Sequence, residues 1–119
     1  MRKCFQTLGL ILLFITATAT KEARATHKSL KAVVKTNIYC DHCKQCASCG
    51  QRLYDAIHQI PGVKRVKIEP EKNEIHVKYD ETKTNLEDIR EVISRSGFDA
   101  DDLHADPAAY ESLDGCCKK

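Results

Sequence analysis

Four cysteines stand at three-residue intervals in the run Cys40-Asp41-His42-Cys43-Lys44-Gln45-Cys46-Ala47-Ser48-Cys49. Two thiolates at Cys-x-x-Cys spacing can aim soft sulfur ligands at one ion where a loop turns into the first turn of a helix. Soft-metal binding is therefore the leading chemistry of this stretch. A helix N-terminus presents unpaired backbone amides that lower a thiol's pKa, and Cys49 and Cys46 would sit there. Two such thiolates favour Cu(I) or a similar soft ion. Zn(II) is favoured if four sulfur or nitrogen ligands close around it, and His42, Cys40 and Cys43 could supply the extra ones. The spacing does not match the bacterial iron–sulfur run, which has a three-residue gap and a following proline.

Other readings of the same residues stay open. In an exported protein the cysteines could be paired as disulfides, and Cys40 and Cys43 could be a redox pair instead of extra ligands. His42 could equally be a solvated loop histidine that titrates near neutrality. Cys-x-x-Cys at a helix start also serves thiol–disulfide oxidoreductases. Against that reading, Pro61, Pro70 and Pro107 do not fall where a strand-leading loop would face the cysteines. A structural zinc or disulfide knot is a third reading. No hydrolytic site, phosphate loop or pair of catalytic carboxylates is apparent, so the expectation is a binding protein and not an enzyme.

At 119 residues the chain has room for one small globular domain. The first 25 residues read as a secretory signal peptide. Arg2 and Lys3 form a basic start, Leu8 to Ile15 an apolar core, and Ala23-Arg24-Ala25 a cleavage signal. That apolar run is far shorter than the roughly 20 residues needed to span a bilayer, so no membrane span is expected after cleavage. Cys4 would leave with the signal. Removing Arg2, Lys3, Lys21, Arg24 and Glu22 from 19 basic and 17 acidic residues leaves 15 and 16, a net charge of −1. No basic field then supports nucleic-acid binding. Export to a periplasm or the cell exterior would permit disulfides among the remaining Cys40, Cys43, Cys46, Cys49, Cys116 and Cys117.

The elements that must position the cysteines follow from periodicity. Ala32, Val34, Thr36 and Ile38 alternate with polar or less buried positions and predict a strand over 31–38. Cys49, Leu53, Ile57 and Ile60 recur at helical spacing and predict a helix from about Ala47 to Gln59, stopped by Pro61-Gly62. Val63 to Pro70 and Glu74 to Tyr79 form a hairpin signal, with Val66 and Ile68 sharing a face with Ile75, Val77 and Tyr79. Thr84-Asn85-Leu86-Glu87 reads as a capping box opening a second helix over 85–96, with Gly97 in the left-handed position after it. Phe98 to Leu103 is expected as a final edge strand carrying the acidic run Asp99, Asp101 and Asp102. Asp106-Pro107 starts a short tail helix before Gly115-Cys116-Cys117. The order is a split β-α-β arrangement, with helices on one face of an antiparallel sheet.

Several of these segments together resemble one family. Cys46-Ala47-Ser48-Cys49, Leu53 and Ile57, Pro61-Gly62-Val63, Val77-Lys78-Tyr79-Asp80, Leu86, Ile89 and Ser96-Gly97-Phe98-Asp99-Ala100 are similar in order and spacing to the heavy-metal-associated domain family. That family takes in copper chaperones, metal-binding domains of copper-transporting ATPases and periplasmic mercury-binding proteins. The resemblance implies an α+β, ferredoxin-like βαββαβ sandwich, with two helices on one face of a four-stranded antiparallel sheet and the metal in the loop between first strand and first helix. Counting back from Gly62, it implies Cys46 and Cys49 as the primary ligands. Cys40 and Cys43 fall in a six-residue extension of that loop, and Lys44 stands where the family usually has an apolar Met.

The resulting expectation has three parts: a signal peptide over 1–25, a heavy-metal-associated domain over 26–103, and a tail over 104–119 with its Cys-Cys pair. The protein would be an exported carrier or scavenger of a soft metal, Cu(I) foremost, with Hg(II), Zn(II) and Cd(II) as alternatives. A metal-transporting membrane protein would be a fitting partner. For the tail we expect that Cys116 and Cys117 return to the metal end, with a frayed, solvated tail as the alternative, since a final strand would start the tail at the opposite end. A helix from Pro107 to Leu113 rises about 1.5 Å per residue and an extended Asp114 to Cys116 about 3.3 Å each, which approaches the length of a short strand. The returned thiols would close the site or form disulfides with Cys40 or Cys43, provided Tyr110 and Leu113 pack on the domain.

Overall fold

A computed structural model describes residues 28–40 and 49–119. The proposed signal segment, His42, Cys43 and Cys46 lie outside the described residues. Strand β1 (Ser29–Lys35), helix α1 (Gly50–His58), the hairpin of β2 (Val63–Glu69) and β3 (Glu74–Asp80), helix α2 (Leu86–Arg95) and short helix α3 (Pro107–Glu111) follow one another. Among the described residues the sheet has three antiparallel strands in the order β1-β3-β2.

Alternation decides which face is buried. Val34 lies opposite Ile75 and Ala32 opposite Val77 across one ladder; Ile68 and Val66 face the same two β3 residues across the other. Leu53 and Ile57 of α1 and Ile89 and Ile93 of α2 are fully buried against this face. Each contributes about 1.5–3 kcal/mol relative to an exposed side chain. The opposite face keeps Lys31, Val33, Lys35, Arg65 and Lys67 exposed. The hairpin closes through a turn of 3-10 helix, Pro70–Lys72, followed by Asn73 at φ 52°. Asn73 has a second role: its carbonyl accepts from Thr36 N (3.0 Å) and its Oδ1 from Ile38 N (2.9 Å), which fixes the chain leaving β1.

Two helix ends differ in an instructive way. The cap of α2 is Asn85, not Thr84: Asn85 is extended and its Oδ1 accepts from Asp88 N at 2.9 Å. Asn caps as well as Thr or better. Glu87 is thereby released to pair with Arg90 at 3.2 Å. At the other end Gly97 has φ +95°, Gly97 N donates to Ser94 O (3.0 Å) and Phe98 N to Ile93 O (3.3 Å). This is the paired-bond termination that a left-handed glycine permits.

The expected fourth strand is absent from the described residues. Residues 98–103 instead form a tight reversal, with a single bridge between Ala100 and Leu103 and Asp101 at φ 56°. Asp101 N donates to Lys35 O and Asp101 Oδ1 accepts from Lys35 N, both at 2.8 Å. Arg90 Nε reaches Asp101 Oδ2 at 2.8 Å, and Asp99 Oδ1 accepts from Ala105 N at 2.8 Å. Two of the carboxylates that suggested a solvated edge strand, Asp99 and Asp101, accept backbone amides instead, and the chain is sent back before it can run along β1.

Candidate metal centre

Cys49 occupies the cap position of α1, fully buried, four residues before Leu53, whose N–H donates to Cys49 O at 3.0 Å. Cys49, Leu53 and Ile57 lie at i, i+4 and i+8 on one face, so packing of the latter two against the sheet fixes where the cysteine stands. On the other side, the Asn73 contacts to Thr36 and Ile38, with a hydrogen bond from Asn37 Nδ2 to the Asp99 carboxylate, lead the chain into buried Cys40.

The tail supplies two further sulfurs, those of Cys116 and Cys117. Because the chain reverses at Asp101, α3 begins beside the C-terminal end of α2, where Asp106 N donates to Ser94 O (2.9 Å) and Ser94 Oγ to His104 O (2.7 Å). Asp106 Oδ1 caps α3 by accepting from Ala109 N at 2.8 Å. The α3 backbone then passes so close to Gly97 that a Cβ there would stand 3.0 Å from Ala109 O. Leu113 is buried, Tyr110 packs against the core, and a final 3-10 turn, Gly115–Cys117, buries Cys117.

Cys117 is disulfide-bonded to Cys49, with Cα atoms 6.7 Å apart. For Cys117 the expected disulfide partner, Cys40 or Cys43, is thus corrected. The partner is Cys49, because the reversal at Asp101 and the docking of α3 carry Cys117 to the start of α1. Cys40 remains close: the sulfurs of Cys40, Cys116 and Cys117 all lie within 4.8 Å of one another, and those of Cys116 and Cys117 are 3.8 Å apart. Of the anticipated site residues the structure brings together Cys40, Cys49, Cys116 and Cys117; His42, Cys43 and Cys46 are outside the described residues.

A second group, Glu69, Glu74 and His76, was not anticipated from the sequence. It sits where β2 ends and β3 begins. Its carboxylates are taken up by basic side chains: Lys67 and Lys72 (2.8 Å) on Glu69, Lys35 and a ring nitrogen of His76 (2.9 Å) on Glu74. The ammonium groups of Lys67 and then Lys72 hold the Glu69 carboxyl at about 2, well below its ordinary 4.5. Lys35 and then His76 lower Glu74 as well. The sequence signal for this network is the alternation of Lys67 with Glu69 and Glu74 with His76 along paired strands. It is an ion-pair network at the rim of the sheet.

Residues 45–99, which span Cys46, Cys49, both main helices and the hairpin, match the heavy-metal-associated domain. A copper chaperone CopZ from Enterococcus hirae is 34% identical over 56 residues, covering 47% of this chain and 81% of that protein. The chain belongs to the heavy-metal-associated domain family. A copper chaperone CopZ from Staphylococcus haemolyticus is 28% identical over 69 residues, 58% of this chain and 93% of that one. The copper-binding domain of HMA7, a P-type ATPase, superposes with a TM-score of 0.51 at 27% identity, covering 60% of this chain and 89% of that domain. As a heavy-metal-associated domain the chain is a non-enzymatic module. No helix among the described residues is long and apolar enough to cross a membrane.

Proposed function

We propose that this heavy-metal-associated domain binds a soft metal ion, Cu(I) foremost, through Cys46 and Cys49, and carries or sequesters it in an exported compartment. The observation that supports this most is the position of Cys49. It caps a helix whose next two turns are anchored by fully buried Leu53 and Ile57, so a sulfur is held where unpaired backbone amides favour its thiolate. The copper chaperones among the relatives favour Cu(I) over Hg(II), Cd(II) and Zn(II). Residues 1–25, with their basic start, apolar core and Ala23-Arg24-Ala25, favour export, and a metal-transporting membrane protein is the natural recipient or donor.

The Cys49–Cys117 disulfide favours a second reading, a structural disulfide module in which Cys49 is never available to a metal. Titrating the reduced chain anaerobically with Cu(I), Hg(II), Cd(II) and Zn(II) in competition with chromophoric chelators separates the two. The metal-carrier reading expects stoichiometric Cu(I) uptake after reduction. If the reduced chain takes up none of the four ions, the structural module is the better account.

A further inference from the structure

We propose that Cys40, Cys49, Cys116 and Cys117 form a four-sulfur site for a divalent d10 ion of the Zn(II) class, assembled by the tail over the start of α1 once the Cys49–Cys117 disulfide is reduced. The proposal rests on the soft-metal reading of this end of the domain, but gives Cys49 a different set of companions.

Distances carry it. A tetrahedral ion with metal–sulfur bonds of about 2.3 Å holds its sulfurs about 3.8 Å from one another. Cys116 and Cys117 already stand 3.8 Å apart, and Cys40 lies within 4.8 Å of both. The fourth sulfur, Cys49, is held beside Cys117 by the bond between them, and once that bond is cut the two must part to about 3.8 Å to share an ion.

The four residues come from three separately anchored segments. Asn73 and Asp99 hold the chain that leads into Cys40, Leu53 and Ile57 hold Cys49, and the reversal at Asp101, the close pass at Gly97 and buried Leu113 hold the tail. Cys40, Cys49 and Cys117 are buried, so their thiolates would be costly without a cation, while exposed Cys116 gives the ion a way in.

Opening the site needs a dithiol reductant. Its two thiols become a disulfide, and two electrons and two protons pass to the sulfurs of Cys49 and Cys117. The incoming ion then displaces the four thiol protons. The disulfide and the metal are therefore alternative occupants, and oxidation closes what reduction opens.

The test is an alkylation footprint of the reduced, unmutated chain under anaerobic conditions, read residue by residue by mass spectrometry with no metal, with Zn(II) and with Cu(I). The proposal expects Zn(II) to abolish alkylation of Cys116 and Cys117 relative to the metal-free reduced protein, and expects the non-reduced protein to take up no Zn(II) at these residues. Continued alkylation of Cys116 and Cys117 under saturating Zn(II), with Cys46 and Cys49 protected by Cu(I), overturns the four-sulfur site and leaves the two-cysteine reading standing. No protection of any cysteine by either ion overturns both.

Discussion

Cys117 is bonded through its sulfur to Cys49, 68 residues earlier, and the bond ties the tail to the first turn of α1. Closing a loop of that length removes unfolded-state entropy worth about 4 kcal/mol in the chain-entropy account. Cys117→Ser should therefore lower unfolding stability by about 2–4 kcal/mol in non-reducing buffer. In reducing buffer the variant and the parent should unfold at nearly the same denaturant concentration. Equal stability in non-reducing buffer would show that the bond does not constrain the chain.

The reversal at Asp101 makes a separate prediction. Asp101→Ala removes the acceptor for Lys35 N and the partner of Arg90, whose guanidinium the carboxylate holds above its ordinary pKa. It also places a residue ill-suited to φ 56° there. A loss of about 1–3 kcal/mol is expected, with a smaller loss for Asp101→Asn, which tolerates the left-handed conformation and keeps an acceptor. Equal denaturation midpoints for the alanine variant and the parent would remove Asp101 from its place in the turn.

How much of this was legible beforehand divides along physical lines. The hairpin and both main helices followed from local alternation and helical spacing, because Val66, Ile68, Ile75 and Val77, and likewise Leu53, Ile57, Ile89 and Ile93, each report the face they bury. The antiparallel sheet with its helices was therefore readable, down to Gly97 at the end of α2. The reversal was not. Asp99, Asp101 and Asp102 look alike in sequence whether they face water or accept backbone amides from Lys35 and Ala105, and the difference is made by residues far along the chain. The same holds for the partner of Cys117, since spacing says that a thiol is present but not which thiol the fold brings to it.

The ion-pair rim predicts an acid response. Glu69 titrates at about 2 in the folded protein, against an ordinary 4.5, because Lys67 and Lys72 stabilise its charged form. A depressed carboxyl contributes stability that is full above the unfolded value and is lost as pH falls through the folded one. Part of the stability should thus disappear between about pH 4.5 and 2. In the Lys67→Ala, Lys72→Ala double variant the fall in unfolding midpoint across that window should be shallower. A slope as steep as the parent's would mean that these pairs do not supply it.

A carrier and a thiol–disulfide oxidoreductase differ in turnover. The reduced, metal-free chain should give no catalytic reduction of a small disulfide substrate beyond one stoichiometric exchange per reactive cysteine pair. Sustained turnover that stops on alkylating Cys46 would favour the enzyme.

The ligand assignment is tested most directly by anaerobic Cu(I) titration of three reduced proteins: the parent, Cys46→Ser with Cys49→Ser, and Cys40→Ser with Cys43→Ser. Loss of Cys46 and Cys49 is predicted to abolish tight Cu(I) binding, and loss of Cys40 and Cys43 only to weaken it. An unchanged Cu(I) affinity in the Cys46/Cys49 double variant would contradict the account.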